Sequence, residues 1–282
     1  MGAGVAGCLV RAGFDVRGYD VRAEALDALL SAGGVACDSA ADAGTGADVA
    51  VLLVLNADQV EEVVFGRTGL AGVLAQGSAV VSATTMAPAR ARALAERAEG
   101  LAWLDAPVSG GTERAADGTL TSMVGGSERD LERARAVIEA YSRDVFHLGP
   151  VGSGSTAKMI NQVLVYCNLA ATAEAMTLCR KLGVDAQAVY DVIRTSMGTS
   201  AIFESRVPRL IDGSYRSGGS LRIALKDLGI VEEIARELGL PLPMTAQATQ
   251  LFRATAAAGE ITQDDLAVAK LLARLSGVPE RG

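Results

Sequence analysis

The chain contains a single histidine, His147, and only four cysteines, Cys8, Cys37, Cys167 and Cys179, none in a Cys-x-x-Cys spacing. One imidazole excludes multi-histidine metal centres, and scattered thiols exclude a zinc cluster or a disulfide framework. The cysteines are therefore read as small core residues, and no metal is expected. His147 sits at the end of a short apolar run, DVFHLG, where a structural role at a strand end is expected. Positive charge is also short: 26 Lys plus Arg against 33 Asp plus Glu leave a net charge of −7. That balance argues against a phosphate-tracking surface, so nucleic acid is not an expected partner. The longest uninterrupted apolar run, residues 49–55, is far below the roughly 20 residues needed to span a bilayer, and no membrane segment is expected. The apolar opening MGAGVAGCLV has no basic stretch before it, and Ala6 stands where a myristoylation signal carries Ser or Thr, so the expected compartment is the cytoplasm.

What the chain does have is apolar surface: half of its 282 residues are hydrophobic, enough for a sizeable core and more than one domain. Up to His147, short apolar runs alternate with segments of helical spacing, the pattern of a parallel sheet covered by helices on both faces. Strands are expected at 15–19, 34–36, 48–55, 78–83, 102–105, 120–124 and 144–148, with helices at 22–32, 58–65, 87–99 and 127–141. After Gly149-Pro150 the alternation stops and helices follow one another. The expected architecture is α/β, a doubly wound Rossmann-like domain over 1–149 followed by an all-helical domain over 150–282 with a long interdomain helix. Ser153 or Ser155 can cap that helix, and Ile160, Leu164, Cys167, Ala171, Leu178 and Leu182 are expected to form its buried face. A second face aligns Lys158, Asn161, Asn168 and Thr172. Asn and Thr are poor choices for a merely solvated helix face, so the stripe is read as functional.

The opening GAGVAG matches the dinucleotide fingerprint G-x-G-x-x-G, but a helix starting at Gly7 would leave too few residues before the turn at Ala12-Gly13 to cross a sheet. Starting the helix near Gly2 works. Gly2 then becomes the third, tight-packing glycine, and Asp20 at the end of the next strand takes the ribose-binding position. In that register the first strand and the first two glycines lie upstream, and the chain is expected to lack roughly 10 to 14 residues at its N-terminus. Asp20 can accept both ribose hydroxyls of NAD and would repel the 2′-phosphate of NADP. Arg22 could pair with that phosphate, but Asp20 favours NAD.

Four segments, RAGFDVRGYD, DAPVSGG (residues 105–111), GSGSTAKMINQ (152–162) and KDLG (226–229), resemble in order and spacing the 3-hydroxyacid dehydrogenase family, which includes 3-hydroxyisobutyrate dehydrogenase-like enzymes. The resemblance implies a dehydrogenase with Lys158 as general acid/base and Asn161, one turn on, holding the reacting oxygen or the lysine in place. A lysine can act as that base only if its pKa falls well below about 10.4, which burial would promote. Ser109, Gly110 and Gly111 follow a strand end and are assigned to the substrate carboxylate, since glycines let backbone N–H groups approach an anion. Gln162 is expected to contact substrate. The resemblance places Asn56, Thr85 and Lys226 beside the cofactor, with Thr84 replacing Thr85 if the register shifts by one. The segments VLNADQVEEVVFG and FESRVPRLIDGSY, with Gln162 where most members carry a second Asn, look most like the sugar-acid branch. The implied reaction is oxidation of L-threonate to 2-oxo-tetronate. Alternatives are 3-hydroxyisobutyrate or tartronate semialdehyde chemistry and, from another class, a non-catalytic dimer subunit. A homodimer or homotetramer with a small hydroxy-acid substrate is expected.

Overall fold

Capped helices separate the short apolar strands of the first half. A computed structural model describes residues 1–216 and 218–279. Helix α1 (Gly2–Arg11) leads into β1 (Arg17–Gly18), α2 (Ala23–Ser31), β2 (Val35–Ala36), α3 (Ala40–Gly44), β3 (Val49–Leu52) and α4 (Ala57–Phe65). Then come β4 (Ala79–Ser82), α5 (Pro88–Arg97), β5 (Ala102–Asp105), β6 (Val108–Ser109), α6 (Gly111–Asp117), β7 (Leu120–Val124), α7 (Glu128–Glu139) and β8 (Ser142–His147). Several starts are local chemistry: Asn56 and Ser127 accept from the N–H groups of Gln59 and Asp130 to cap α4 and α7, and Pro88 occupies the first turn of α5.

Strands β3, β4 and β5 form a parallel ladder, while β1 and β2 pair separately. Strand β8 runs parallel to β7, and β6 runs antiparallel to it. An antiparallel bridge between Asp105 and Gly125 joins the ends of β5 and β7. The expected doubly wound arrangement is present, divided into three ladders, and the two-residue β6 is an addition to it. Neither β1 nor β3 pairs on its other edge among the described residues, so Val49, Ala50 and Val51 stay half-buried where β4 and β5 are buried throughout. Side chains alternate across the ladder. Val81 and Leu104 pack with Val5, Leu9 and Ile138 on one face; Val80 and Trp103 pack with Val60, Val64 and Leu94 on the other.

The chain divides into two compact units, Met1–Lys158 and Met159–Gly282, with the division inside the long helix α8 (Ser153–Lys181). Helices α9 (Ala186–Ile193), α10 (Ala201–Ile211), α11 (Leu221–Glu237), α12 (Pro243–Thr255) and α13 (Ala267–Ser276) complete the second unit. Its core gathers Tyr166, Leu169, Ala173 and Met176 of α8 with Phe203, Val207, Leu228 and Phe252. The face expected to be buried is therefore the wrong one: Ile160, Leu164, Leu178 and Leu182 are 59–68% exposed. Helix α8 has two apolar faces, and the one carrying the aromatic Tyr166 took the core, where it meets Phe252 edge to face at 5.5 Å. Of the cysteines, Cys8, Cys37 and Cys179 are buried, and Cys167 is half-buried. His147 closes β8 with Nε2 2.8 Å from the Gly126 carbonyl oxygen.

One side chain fixes where α8 begins. Asp105, the last residue of β5 and 1% exposed, accepts from the Gly152 N–H at 2.8 Å through Oδ1 and from the Ser155 N–H at 2.7 Å through Oδ2. These are donors that a helix start cannot satisfy internally. A Cβ at Gly125 or Gly154 would collide with Asp105, so both glycines make room for the contact. Burial pushes the Asp105 carboxyl above the ordinary carboxylate range, while the two N–H groups pull it back. Because the folded state favours the protonated form, this group's contribution to stability is full below about pH 4 and declines as pH rises through its raised pKa. The Asp105→Ala variant should be less stable by about 2–6 kcal/mol, since two buried N–H groups lose their acceptors at roughly 1–3 kcal/mol each. It should also lack that decline. Urea melts of both proteins between about pH 4 and 8 measure the two effects, and equal stability of variant and wild type would remove Asp105 as the anchor.

Candidate active site

Lys158 lies in the second turn of α8, immediately beyond the Asp105 contact, and is 7% exposed. A lysine at a helix start is ordinarily solvated; this one is enclosed. Asn161 follows one turn later on the same helix and is half-buried. Asn168 is also half-buried and Thr172 is 5% exposed, so the polar stripe is not a solvated face.

The Ser109-Gly110-Gly111 segment turns from β6 into α6. Gly110 and Gly111 have φ of 137° and 74°, a region in which side chains are strained, and a Cβ at Gly110 would come within 3.0 Å of Arg114 and Leu120. Ser109 and Gly111 are half-buried and Gly110 is exposed, so the backbone of this turn is reachable.

Residues expected beside a cofactor follow the C-terminal ends of parallel strands, where open α/β sheets bind ligands. Asp20 follows β1; its side chain is 36% exposed and accepts from the Arg22 backbone N–H at 2.9 Å and from Arg22 Nε at 3.3 Å. Arg22 is thus engaged by the carboxylate. Asn56 follows β3 and spends its Oδ1 on capping α4, with Gln59 N–H at 2.9 Å. After β4, Thr84 is 2% exposed and its hydroxyl meets the backbone of Val54 at 3.2 Å, whereas Thr85 is half-buried. Of the two threonines, Thr85 is the accessible one. Gly2 opens α1, and a Cβ there would meet only Leu53 at an ordinary 3.8 Å. The tight contact expected at Gly2 falls instead at Gly4, where a Cβ would lie 2.9 Å from the backbone of Ala115 and Ala116. Helix α1 thus meets α6 at Gly4, two residues after the helix begins.

A dinucleotide can be tested against these groups. Helix α1 starts without a side-chain cap, so its first N–H groups are available to an anion. An exposed carboxylate at Asp20 supplies the acceptor that ribose hydroxyls need, and the charges of Asp20 and Arg22 are both felt at the Met1 amine beside the helix start. This donor and acceptor set fits the group.

In the second unit, Gln162 is held by protein partners. It is 5% exposed and turned inward: Nε2 donates to Asp227 Oδ2 at 2.5 Å and to the Tyr166 hydroxyl at 3.2 Å, while Oε1 accepts from Asn161 Nδ2 at 2.9 Å. The buried carboxyl group of Asp227 thus holds this carboxamide from one end, and Asn161 from the other. Tyr166 donates to the same Asp227 oxygen at 3.3 Å, and burial together with Asp227 raises its pKa well above the usual value, so it remains a donor. Lys226 Nζ pairs with Asp227 Oδ1 at 2.8 Å. Asp105, Tyr166 and Asp227 are thus site-supporting residues that sequence reasoning passed over. Asp227 had a signal, because it interrupts the apolar spacing Ala224, Leu228, Val231 on α11.

Two family models match in sequence order: the NAD binding domain of 6-phosphogluconate dehydrogenase over residues 1–149, and the NAD-binding of NADP-dependent 3-hydroxyisobutyrate dehydrogenase over residues 152–272. The L-threonate dehydrogenase of Cupriavidus necator is 44% identical over 274 residues, covering 96% of this chain and 92% of the relative. That of Escherichia coli K12 is 40% identical over 282 residues, covering 98% and 93%. A solved structure described as 3-hydroxyisobutyrate dehydrogenase from Salmonella typhimurium superposes with a TM-score of 0.89 at 38% identity, covering 96% of this chain and 95% of that one. With both halves matched and relatives this similar along nearly the whole length, the chain belongs to the 3-hydroxyacid dehydrogenase family, among its 3-hydroxyisobutyrate dehydrogenase-like, NAD-binding members.

Proposed function

We propose that the protein oxidises a small hydroxy acid with NAD, with L-threonate as the substrate and 2-oxo-tetronate as the product. The observation that carries the chemistry is the enclosure of Lys158 just beyond a helix start held by Asp105, with Asn161 one turn on. The choice of substrate is supported by the names of the relatives. The first unit serves as the dinucleotide-binding domain and the second, all-helical unit as the substrate and dimerisation domain. Backbone N–H groups of Ser109, Gly110 and Gly111 bind the substrate carboxylate. Lys158, as the neutral amine, takes the proton of the C2 hydroxyl on Nζ, and Asn161 keeps the reacting oxygen and the lysine in register. Bound NAD supplies the hydride acceptor. Asp20 binds its ribose, the start of α1 at Gly2 its phosphates, and Asn56, Thr85 and Lys226 flank it. The working compartment is the cytoplasm.

The exposed stripe Ile160, Leu164, Leu178 and Leu182 repeats on one side of α8 and supports a homodimer or homotetramer built on the second unit. Light scattering at micromolar concentration should give a dimer or larger species, and Leu164→Asp should shift it toward monomer. A monodisperse wild-type monomer would contradict this assembly.

For the chemistry, Lys158→Met is expected to leave NAD affinity nearly unchanged and to lower turnover by at least about 100-fold. Steady-state rates and NAD titrations test both halves, and near-normal turnover would mean that another group is the base. For the substrate, threonate should surpass 3-hydroxyisobutyrate in kcat/KM, because Lys158 and Asn161 offer polar partners that a methyl-bearing substrate leaves unpaired at about 1–3 kcal/mol each. Assays of threonate, erythronate, glycerate and 3-hydroxyisobutyrate at one NAD concentration decide it; preference for 3-hydroxyisobutyrate would reject threonate and leave the family unchanged.

A further inference from the structure

We propose that Gln162 and Asp227 are positioning residues that set which way round the Asn161 carboxamide is held. The inference rests on the role assigned to Asn161 above. A carboxamide has a donor end and an acceptor end of nearly the same shape, so something must choose between them. Asp227, 1% exposed, is met by donors at both oxygens: Oδ1 pairs with Lys226 Nζ, and Oδ2 accepts from Gln162 and Tyr166. Gln162 must therefore turn its Nε2 toward Asp227, and Nε2 also donates to the Tyr166 hydroxyl, which itself donates to Asp227. With both N–H hydrogens of Gln162 engaged, its Oε1 is left facing Asn161, and Asn161 must present Nδ2 to it at 2.9 Å. The direction of donation thus runs outward from one buried carboxyl group through two amides.

The result is that Oδ1 of Asn161 accepts from none of the described residues and is turned away from Gln162. It is an acceptor, suited to the Lys158 ammonium once the lysine has taken the proton, and to the hydroxyl hydrogen of the substrate before transfer. Lys226 is held by the other oxygen of the same carboxylate, so Asp227 orients two proposed site residues at once. A substitution at 162 that removes the amide lets Asn161 rotate, which disturbs the reacting geometry while leaving the NAD-binding groups of the first unit untouched.

Gln162→Met keeps the volume and removes the donor. It should lower kcat on threonate by roughly 10- to 100-fold, as a small misplacement of a catalytic group does, with the Kd for NAD within about twofold of wild type. The same change made in an Asn161→Ala background should cost nothing further, within about twofold. An equal loss in both backgrounds would overturn the relay, since a general packing defect acts regardless of Asn161. If Asn161→Ala by itself keeps wild-type kcat, the reading of Asn161 fails and the relay with it. Should Gln162→Met not fold, Gln162→Asn, one methylene too short to reach Asp227, goes through the same cycle with the same expected and overturning results.

Discussion

The Asp105 carboxylate, held by the N–H groups of Gly152 and Ser155, is the contact on which the rest of the first unit's chemistry depends. It joins the end of strand β5 to the start of a 29-residue helix. Helix geometry then determines where every later side chain on α8 stands: three residues beyond Ser155 comes Lys158, and three beyond that Asn161. The position of an amine that must meet a hydroxyl proton is thus derived from a strand end through rigid elements, with no flexible loop in between.

The second unit repeats the logic with a different carboxylate. Asp227 acts on side-chain amides where Asp105 acts on backbone amides, and each is buried to about 1% exposure. In both cases a carboxyl group enclosed in apolar surroundings gathers donors around its oxygens, which converts an ambiguous arrangement into a single one. The cost is desolvation, visible in the upward displacement of Asp105.

Much of this was legible in the sequence because buried parallel strands read as unbroken apolar runs. Strands β5 and β7 occupy the residues expected, since each is bounded by turn-forming neighbours. The two-residue β6 left no periodicity to detect, and the gap between β1 and β3 is a property of ladders rather than of local pattern. On α8 the helical period was evident, yet two apolar stripes competed and only tertiary contact with Phe252 decided between them. Lys158 and Asn161 stood out because polar residues at helical spacing lacked a solvation rationale. The inward turn of Gln162 had no local sign at all, because its partner lies 65 residues further along the chain.

That long separation bears on how such a site can change over time. Position 162 is a glutamine, one methylene longer than the asparagine beside it at 161. The added reach is useful only with a carboxylate at 227 and a hydroxyl at 166 placed to receive it. An exchange at 162 taken alone removes one donor from Asp227 Oδ2, and an exchange at 227 taken alone removes the acceptor of the Gln162 amide. The three positions therefore act as one unit, and a change at any one of them is felt at the other two.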